Sequence, residues 1–277
     1  MADQMDSGFD VDAMRIVAPD AGELERAAEA ALRPKKLSEF VGQRVVRGQL
    51  QLVLDAARMR SACPDHVLLA GPPGLGKTTL AMIVAAEMGT SLRLTSGPAI
   101  QHAGDLAAIL SGLQEGDILF IDEIHRLRPQ IEEILYSAME DFQIDIIIGS
   151  GTGATSVKMD IPKFTLVGAT TKLSSLSHPL RDRFGNIMKL DFYDESDLEK
   201  IIARSFVIMD FEKISKEAVE SIAKRSRGTP RIANRYVKII RDYAIVGNPV
   251  ETRVDCEAVF AKFGVDVYGL DILDKKL

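Results

Sequence analysis

Gly71-Pro72-Pro73-Gly74-Leu75-Gly76-Lys77-Thr78 follows the apolar run Val67-Leu68-Leu69-Ala70 and leads straight into Thr79-Leu80-Ala81-Met82-Ile83-Val84-Ala85. The order is strand, glycine-rich turn, helix, and the turn completes the pattern G-x-x-x-x-G-K-[ST]. Glycines let successive backbone N–H groups curl around phosphate oxygens, and the helix N-terminus adds the positive end of its dipole. Lys77 is spaced to reach the β- and γ-phosphates, and the Thr78 hydroxyl to ligate Mg²⁺. Gly71, Pro72, Pro73, Gly74, Leu75, Gly76, Lys77, Thr78 and Thr79 are therefore the candidate nucleotide-binding residues.

Working outward, β-type runs at 118–121, 164–169 and 187–192 alternate with helix-type segments at 47–60, 78–88 and 130–140. That alternation predicts βαβ units around a parallel sheet. Beyond Phe192 the pattern turns helical, over 194–209, 215–226 and 230–246. The last of these opens with Pro230 in its first turn and closes before Gly247-Asn248-Pro249. The expected fold is α/β, a P-loop domain with a parallel sheet flanked by helices, followed by a small all-helical domain. No internal repeat is visible.

Composition excludes several classes. Across 277 residues, 46% hydrophobic and 27% charged match ordinary globular proteins and rule out a fibrous or wholly disordered chain. No apolar run approaches the roughly 18 residues of a membrane helix. The acidic N-terminus is unlike a signal peptide. Cys63 and Cys256 lie too far apart for a disulfide framework or a metal knuckle, so the expected compartment is the cytoplasm and both thiols are expected to be buried. The net charge of −6 comes entirely from residues 1–30, which carry eight acids against Arg15 and Arg26 and read as a mobile leader. The rest balances, so any nucleic-acid surface must be a local patch. Residues 221–241 hold seven basic residues and no acid. With Ile232, Tyr236, Ile239, Ile240 and Tyr243 as the buried stripe, those cations read as a solvated helix face.

Other motifs carry chemistry. The buried-strand run 118–121 ends in Asp122 and Glu123, where one carboxylate can enter a Mg²⁺ shell and the next can polarise an attacking water. The run 164–169 ends in Thr170 and Thr171, either of which can hydrogen-bond a γ-phosphate or the water. Arg181 and Arg183 flank Asp182 just before the last strand, as a finger for developing phosphate charge or as a surface ion pair. Arg231 stands at a helix start, where a cation opposes the dipole and so points to an anionic partner. His125 reads as a packing residue, and His66, His102 and His178 form no metal spacing. Two alternating runs, 144–148 and 156–161, flank Gly149-Ser150-Gly151-Thr152-Gly153 and predict a β-hairpin.

Phosphate loop, Asp-Glu strand, polar strand end, arginine element and a helical domain opening on Thr229-Pro230-Arg231 together resemble the AAA+ ATPase family. The longer stretches 32–43, 120–127, 138–141 and 179–185 narrow the resemblance to bacterial motors that migrate Holliday junctions, over the chain from about Leu32 onward. The resemblance implies ATP and Mg²⁺ as cofactors and ATP hydrolysis as the reaction. Arg33, Phe40 and Val41 would line the adenine pocket, Lys77 and Thr78 would bind phosphate and Mg²⁺, and Asp122 and Glu123 would be the metal and water carboxylates. Thr170 or Thr171 would be the first sensor, Arg183 a finger acting on a neighbouring subunit's ATP, and Arg231 the second sensor. It further implies a homo-hexameric ring on the DNA arms of a Holliday junction, serving recombination, repair and the SOS response. A junction-binding partner would dock on the hairpin from Ile144 to Ile161, and a resolvase would join the assembly. The expected domains are a leader at 1–30, the ATPase domain at 31–192 with its projecting hairpin at 143–164, a lid at 193–267, and a stub at 268–277. A winged-helix DNA-binding domain would begin at that stub, where the chain stops, so a major DNA contact is expected to be missing: either the chain is a truncated product, or its DNA contact rests on ring-interior loops and on partners. Two other readings are a clamp-loader-like ATPase and a nucleotide-gated adaptor without turnover, which would need neither Glu123 nor Arg183.

Overall fold

The computed structural model describes residues 31–148, 155–211, 213–247, 250–271 and 274. The chain divides into two compact units, 1–33 and 34–277. In the first, residues 31 and 32 are helical; the leader at 1–30 lies outside the described residues. The second unit holds the sheet and the helices around it.

Strands β1 (Val67–Ala70), β2 (Leu92–Ser96), β3 (Ile118–Asp122), β6 (Thr165–Thr170) and β7 (Asn186–Lys189) form a parallel sheet in the order β2-β3-β6-β1-β7. β4 (Gln143–Ile148) and β5 (Thr155–Asp160) pair apart from it as an antiparallel hairpin. β1 and β6 are buried along their whole length because helices cover both faces, which is why their sequences are apolar runs with no polar alternation. Val67, Leu69, Ile118, Phe120, Val167 and Ala169 face one way, into a core shared with α1 (Arg44–Arg60) and α2 (Lys77–Met88). Leu68, Leu119, Ile121 and Leu166 face the other, against α3 (Ala103–Ser111), α4 (Pro129–Glu140) and α5 (His178–Asp182). Each such large side chain contributes about 1.5–3 kcal/mol by leaving water.

The helical region comprises α6 (Glu195–Ile208), α7 (Lys216–Arg225), α8 (Pro230–Ile245) and α9 (Arg253–Lys262). Ser215 caps α7 by accepting the Ala218 N–H, and Thr252 with Asp255 forms a capping box on α9. Phe206, Tyr236 and Phe260 are almost fully buried among these helices, and their cluster is continuous with the α1/α2 core through Leu190, Tyr193 and Leu198. The lid therefore shares its core with the nucleotide-binding layer. Among the described residues no helix is long and apolar enough to cross a membrane.

Several details differ from the sequence reading. β2, α3 and α9 went unanticipated: β2 is a half-exposed edge strand with weak alternation, while α9 buries Cys256, Val259 and Phe260 at helical spacing. The last strand ends at Lys189, not Phe192, because its partner β1 ends at Ala70 and turns into the glycine loop; Phe192 is 62% exposed. Cys256 is buried, and burial pushes its thiol up to about 12, but Cys63 is only half-buried. The basic segment 221–241 is also not simply a solvated face. Arg225 is buried, its guanidinium 4.7 Å from the Phe260 ring centroid and its Nε donating to Asp266 O at 3.2 Å. Arg227 pairs with Asp274 at 3.1 Å, Arg241 with Asp242 at 2.6 Å and Arg235 with Asp271 at 3.9 Å, so acids outside the segment pair with three of its seven cations.

Phe260 meets Tyr236 edge-on at 5.1 Å while carrying Arg225 on its face. Replacing it by Ala opens a cavity and strips a buried cation of its aromatic face, so F260A is expected to lose about 3–5 kcal/mol. Urea unfolding followed by circular dichroism checks this, and a loss below about 1 kcal/mol would contradict the packing described.

Candidate active site

The phosphate loop leaves the carboxyl end of β1 with Gly71, Gly74 and Gly76 at φ of 150°, 81° and 99°. At Gly74 the left-handed backbone coincides with close approach: a methyl there would stand 2.9 Å from Thr229 Cγ2 and 3.0 Å from Arg231 Cβ. A methyl on Gly76 would stand 3.0 Å from Phe40 Cζ. Only glycine suits both positions. Gly76 is the N-cap of α2, so the loop's N–H groups and the helix dipole face the same space. Lys77 is buried and donates from Nζ to Gly71 O at 2.8 Å and Pro72 O at 2.7 Å. Burial lowers its pKa; the Asp122 carboxylate opposes that and the Arg231 guanidinium reinforces it. Asp122 and Arg231 thus both lie within electrostatic reach of Lys77. Thr78 and Thr79 follow on the first turn of α2, both partly exposed, and Pro72, Pro73 and Leu75 complete the loop, with Leu75 buried as its anchor.

Asp122 ends β3, and its Oδ1 accepts the Glu123 N–H at 2.9 Å. Glu123 has φ of 48°, a left-handed conformation uncommon for a residue with a side chain. It also pairs with Arg126 at 2.9 Å. Strained backbone of this kind concentrates at functional sites. The end of β6 separates the two threonines: Thr170 is its last residue and Thr171 lies just past it. Thr170 is fully buried on the side of Ile124, its Oγ1 accepting from Lys172 N–H at 3.0 Å and lying 3.0 Å from His125 Nδ1. Thr171, next in the chain, is exposed. The sequence could not choose between them; the geometry commits the Thr170 hydroxyl to the protein interior. Burial lowers the pKa of His125. His125 is thus a polar partner of the strand end as well as a packed residue.

The described residues contain no cluster of three or more His, Cys, Asp or Glu side chains fit to hold a metal. Thr78 and Asp122 offer a hydroxyl and a carboxylate, hard oxygen donors few enough to suit Mg²⁺, which takes one or two protein ligands beside phosphate oxygens.

Arg231, at the first turn of α8, donates its backbone N–H to Gly74 O at 3.4 Å and lies over the phosphate loop with its side chain exposed. Arg183 is elsewhere. It follows α5 and lines a cleft with His66, Lys163 and Gly185, near where β1, β6 and β7 begin. The structure brings Lys77, Thr78, Asp122, Glu123, Thr171 and Arg231 to the carboxyl edge of the sheet and keeps Arg183 away from that edge.

Phe40 is buried against Gly76, and Val41 beside it is half-buried. Arg33 belongs to the first unit. Two residues of this wall escaped sequence reading. Tyr193 donates its hydroxyl to Leu75 O at 3.2 Å, and burial raises its pKa. Gln43, at φ of 46°, donates to Asp191 O at 2.5 Å and accepts Asp191 N–H at 3.2 Å. Together they fasten the segment entering α1 to the segment entering the lid. No motif marks either residue, because both contacts join chain segments more than 100 residues apart. The β4–β5 hairpin is present in register Ile144↔Met159 to Ile148↔Thr155, but its turn at 149–154 lies outside the described residues.

A phosphate loop after β1, a strand-end Asp-Glu pair on its neighbour but one, and a helical lid with an arginine over the loop define an AAA+ ATPase. The family model described as "Holliday junction DNA helicase RuvB P-loop domain" matches residues 32–190, and "RuvB AAA lid domain" matches 193–269. The "Holliday junction branch migration complex subunit RuvB" of Streptomyces avermitilis is 58% identical over 262 residues, 94% of this chain and 73% of that protein. The protein of the same name from Leifsonia xyli is 60% identical over 255 residues, 91% of this chain and 72% of its own. The solved Thermotoga maritima RuvB, titled a Holliday junction branch migration motor, superposes with a TM-score of 0.81 at 51% identity, covering 89% of this chain and 78% of its own. The chain belongs to the RuvB family.

A side chain at Gly74 would both strain the loop and push the lid off it. Gly74→Ala is therefore expected to weaken ATP binding by at least about tenfold through steric displacement of Thr229 and Arg231. Titration with a fluorescent ATP analogue measures it, and parental affinity would show that the lid's contact with the loop is irrelevant to binding.

Proposed function

We propose that this chain is the ATP-hydrolysing subunit of a Holliday-junction branch-migration machine. The observation that carries the reading is the convergence of Lys77, Asp122, Glu123 and Arg231 on one edge of the sheet while Arg183 stands apart from it. The phosphate-loop N–H groups and Lys77 bind the triphosphate, Phe40 and Val41 form the adenine side, and Arg231 reads the phosphates from the lid. Thr78 and Asp122 would hold a Mg²⁺ ion, which supplies charge neutralisation on the phosphate oxygens when bound. Glu123 takes a proton from the attacking water, and Thr171, the hydroxyl left open to the site, orients that water or the γ-phosphate. Thr170 supports it from below through His125.

Because Arg183 stands away from its own loop, it acts on the nucleotide of a neighbouring copy, and hydrolysis requires assembly into a ring, here taken as hexameric. A planar, permanently charged guanidinium suits charge developing on a γ-phosphate. The ring works on the arms of a Holliday junction with a RuvA-type junction-binding protein seated on the β4–β5 hairpin, and a RuvC-type resolvase completes the pathway in the cytoplasm. The domains follow the same scheme: leader 1–30, ATPase domain 31–192, lid 193–267 and the segment 268–277 beyond it.

Steady-state hydrolysis with and without four-way-junction DNA at low salt tests the reading. Lys77→Ala is expected to abolish nucleotide binding or turnover. Glu123→Gln should keep ATP affinity and lose at least about 100-fold in kcat, and Arg183→Ala should bind ATP normally yet lose about 1000-fold or more. Glu123→Gln hydrolysing at the parental rate would remove the water assignment. For the hairpin, replacing Ile146 and Ile148 together by Ser is expected to weaken capture of the junction-binding partner by at least about tenfold in a pull-down titration while leaving basal hydrolysis intact. Unchanged partner affinity would move the docking surface elsewhere.

A further inference from the structure

Three residues four apart on α4, Glu132, Tyr136 and Glu140, lie along one helix face and converge on the element that carries Arg183. Glu132 is 8% exposed. Its Oε2 accepts the Ser177 hydroxyl at 2.6 Å and the Tyr136 hydroxyl at 2.9 Å. Ser177 is the N-cap of α5, its Oγ accepting the Leu180 N–H at 3.3 Å, so the buried carboxylate fixes the start of the helix whose C-cap is Arg183. The Arg183 guanidinium lies 4.5 Å from the Tyr136 ring centroid, donates from Nη2 to Glu140 Oε2 at 3.1 Å and from Nη1 to Pro179 O at 2.8 Å. Its Nε is buried with no hydrogen-bond partner. A buried donor without an acceptor costs stability, so the side chain is held in this place against a local penalty.

We infer that the Glu132–Tyr136–Glu140 face of α4 is the positioning platform of the Arg183 finger. The inference rests on the reading of Arg183 as acting in trans. A long flexible side chain stabilises a transition state only when its plane and reach are set beforehand. Tyr136 sets the plane of the guanidinium, Glu140 its rotation in that plane, and Glu132 the place of the backbone that bears it. Tyr136 and Glu132 touch no nucleotide; they act through Arg183, and displacement of a charged group by about 1 Å can cost on the order of 100-fold in rate.

Positioning in trans has a signature that packing alone lacks. Tyr136→Leu, which keeps apolar bulk, is expected to lower kcat by at least about tenfold with ATP affinity within about twofold of parental. Tyr136→Phe keeps the stacked ring and should lose less than about threefold. A Tyr136→Leu subunit retains its own ATP site, and a Glu123→Gln subunit retains an intact finger. Mixing the two is therefore expected to raise turnover above the sum of what each shows alone, and Glu132→Gln should behave like Tyr136→Leu. Parental kcat in Tyr136→Leu, a loss of ATP affinity, or a lowered kcat that mixing fails to restore would each overturn the platform. The control separates the two readings. If Arg183→Ala itself is not rescued by Glu123→Gln subunits, the finger assignment fails; if it is rescued while Tyr136→Leu is not, the platform alone fails.

Discussion

The register of β1 between β6 and β7 is the constraint on which the rest depends. Ala70 stands opposite Thr170 on one side and Lys189 on the other, Gly71 N–H donates to Thr170 O at 3.0 Å, and Leu190 N–H donates to Ala70 O at 2.8 Å. Both faces of β1 are buried, so a slip by one residue would exchange its two sets of side chains between two differently shaped cores. With that register fixed, the phosphate loop emerges level with the ends of β3 and β6. The carboxyl edge of a parallel sheet then gathers chemistry from chain segments dozens of residues apart.

The same edge is where the lid is attached. Thr229 and Arg231 approach Gly74 closely enough that a single methyl would intrude, and the apolar core runs unbroken from α2 through Tyr193 into α6–α9. A change in the loop is therefore passed to the helical region by steric contact through close-packed side chains, which compress little. Arg231 at a helix start works against the dipole of α8, a placement that becomes favourable when an anion lies over the loop.

Arg183 occupies the other side of this division. Its guanidinium is held by α4 and by the carbonyl of Pro179, away from the loop of its own chain. One molecule thus carries a nucleotide edge and, apart from it, a separate arginine surface. In the 221–241 segment, acids elsewhere in the chain pair with Arg227, Arg235 and Arg241, and Arg225 is packed inside the lid.

The sequence alone determined the chemistry that is local along the chain. The loop 71–78, the carboxylates ending β3 and the proline-started α8 each encode strand, turn or helix within a dozen residues, and backbone stereochemistry makes such patterns readable. Edge strand β2 was not legible, because a half-exposed strand has weak alternation, and the end of β7 was misjudged, because its length is dictated by where β1 turns away. Tertiary structure alone decided which hydroxyl of Thr170 and Thr171 remains open, since Thr170 at the end of β6 meets His125 while Thr171 lies past the strand. It decided that Arg225 is an interior residue, that Gln43 and Tyr193 fasten the site, and that Glu132, Tyr136 and Glu140 gather beneath Arg183. Those choices are set by contacts between segments 40 to 150 residues apart, where packing geometry, and not local propensity, selects the partner.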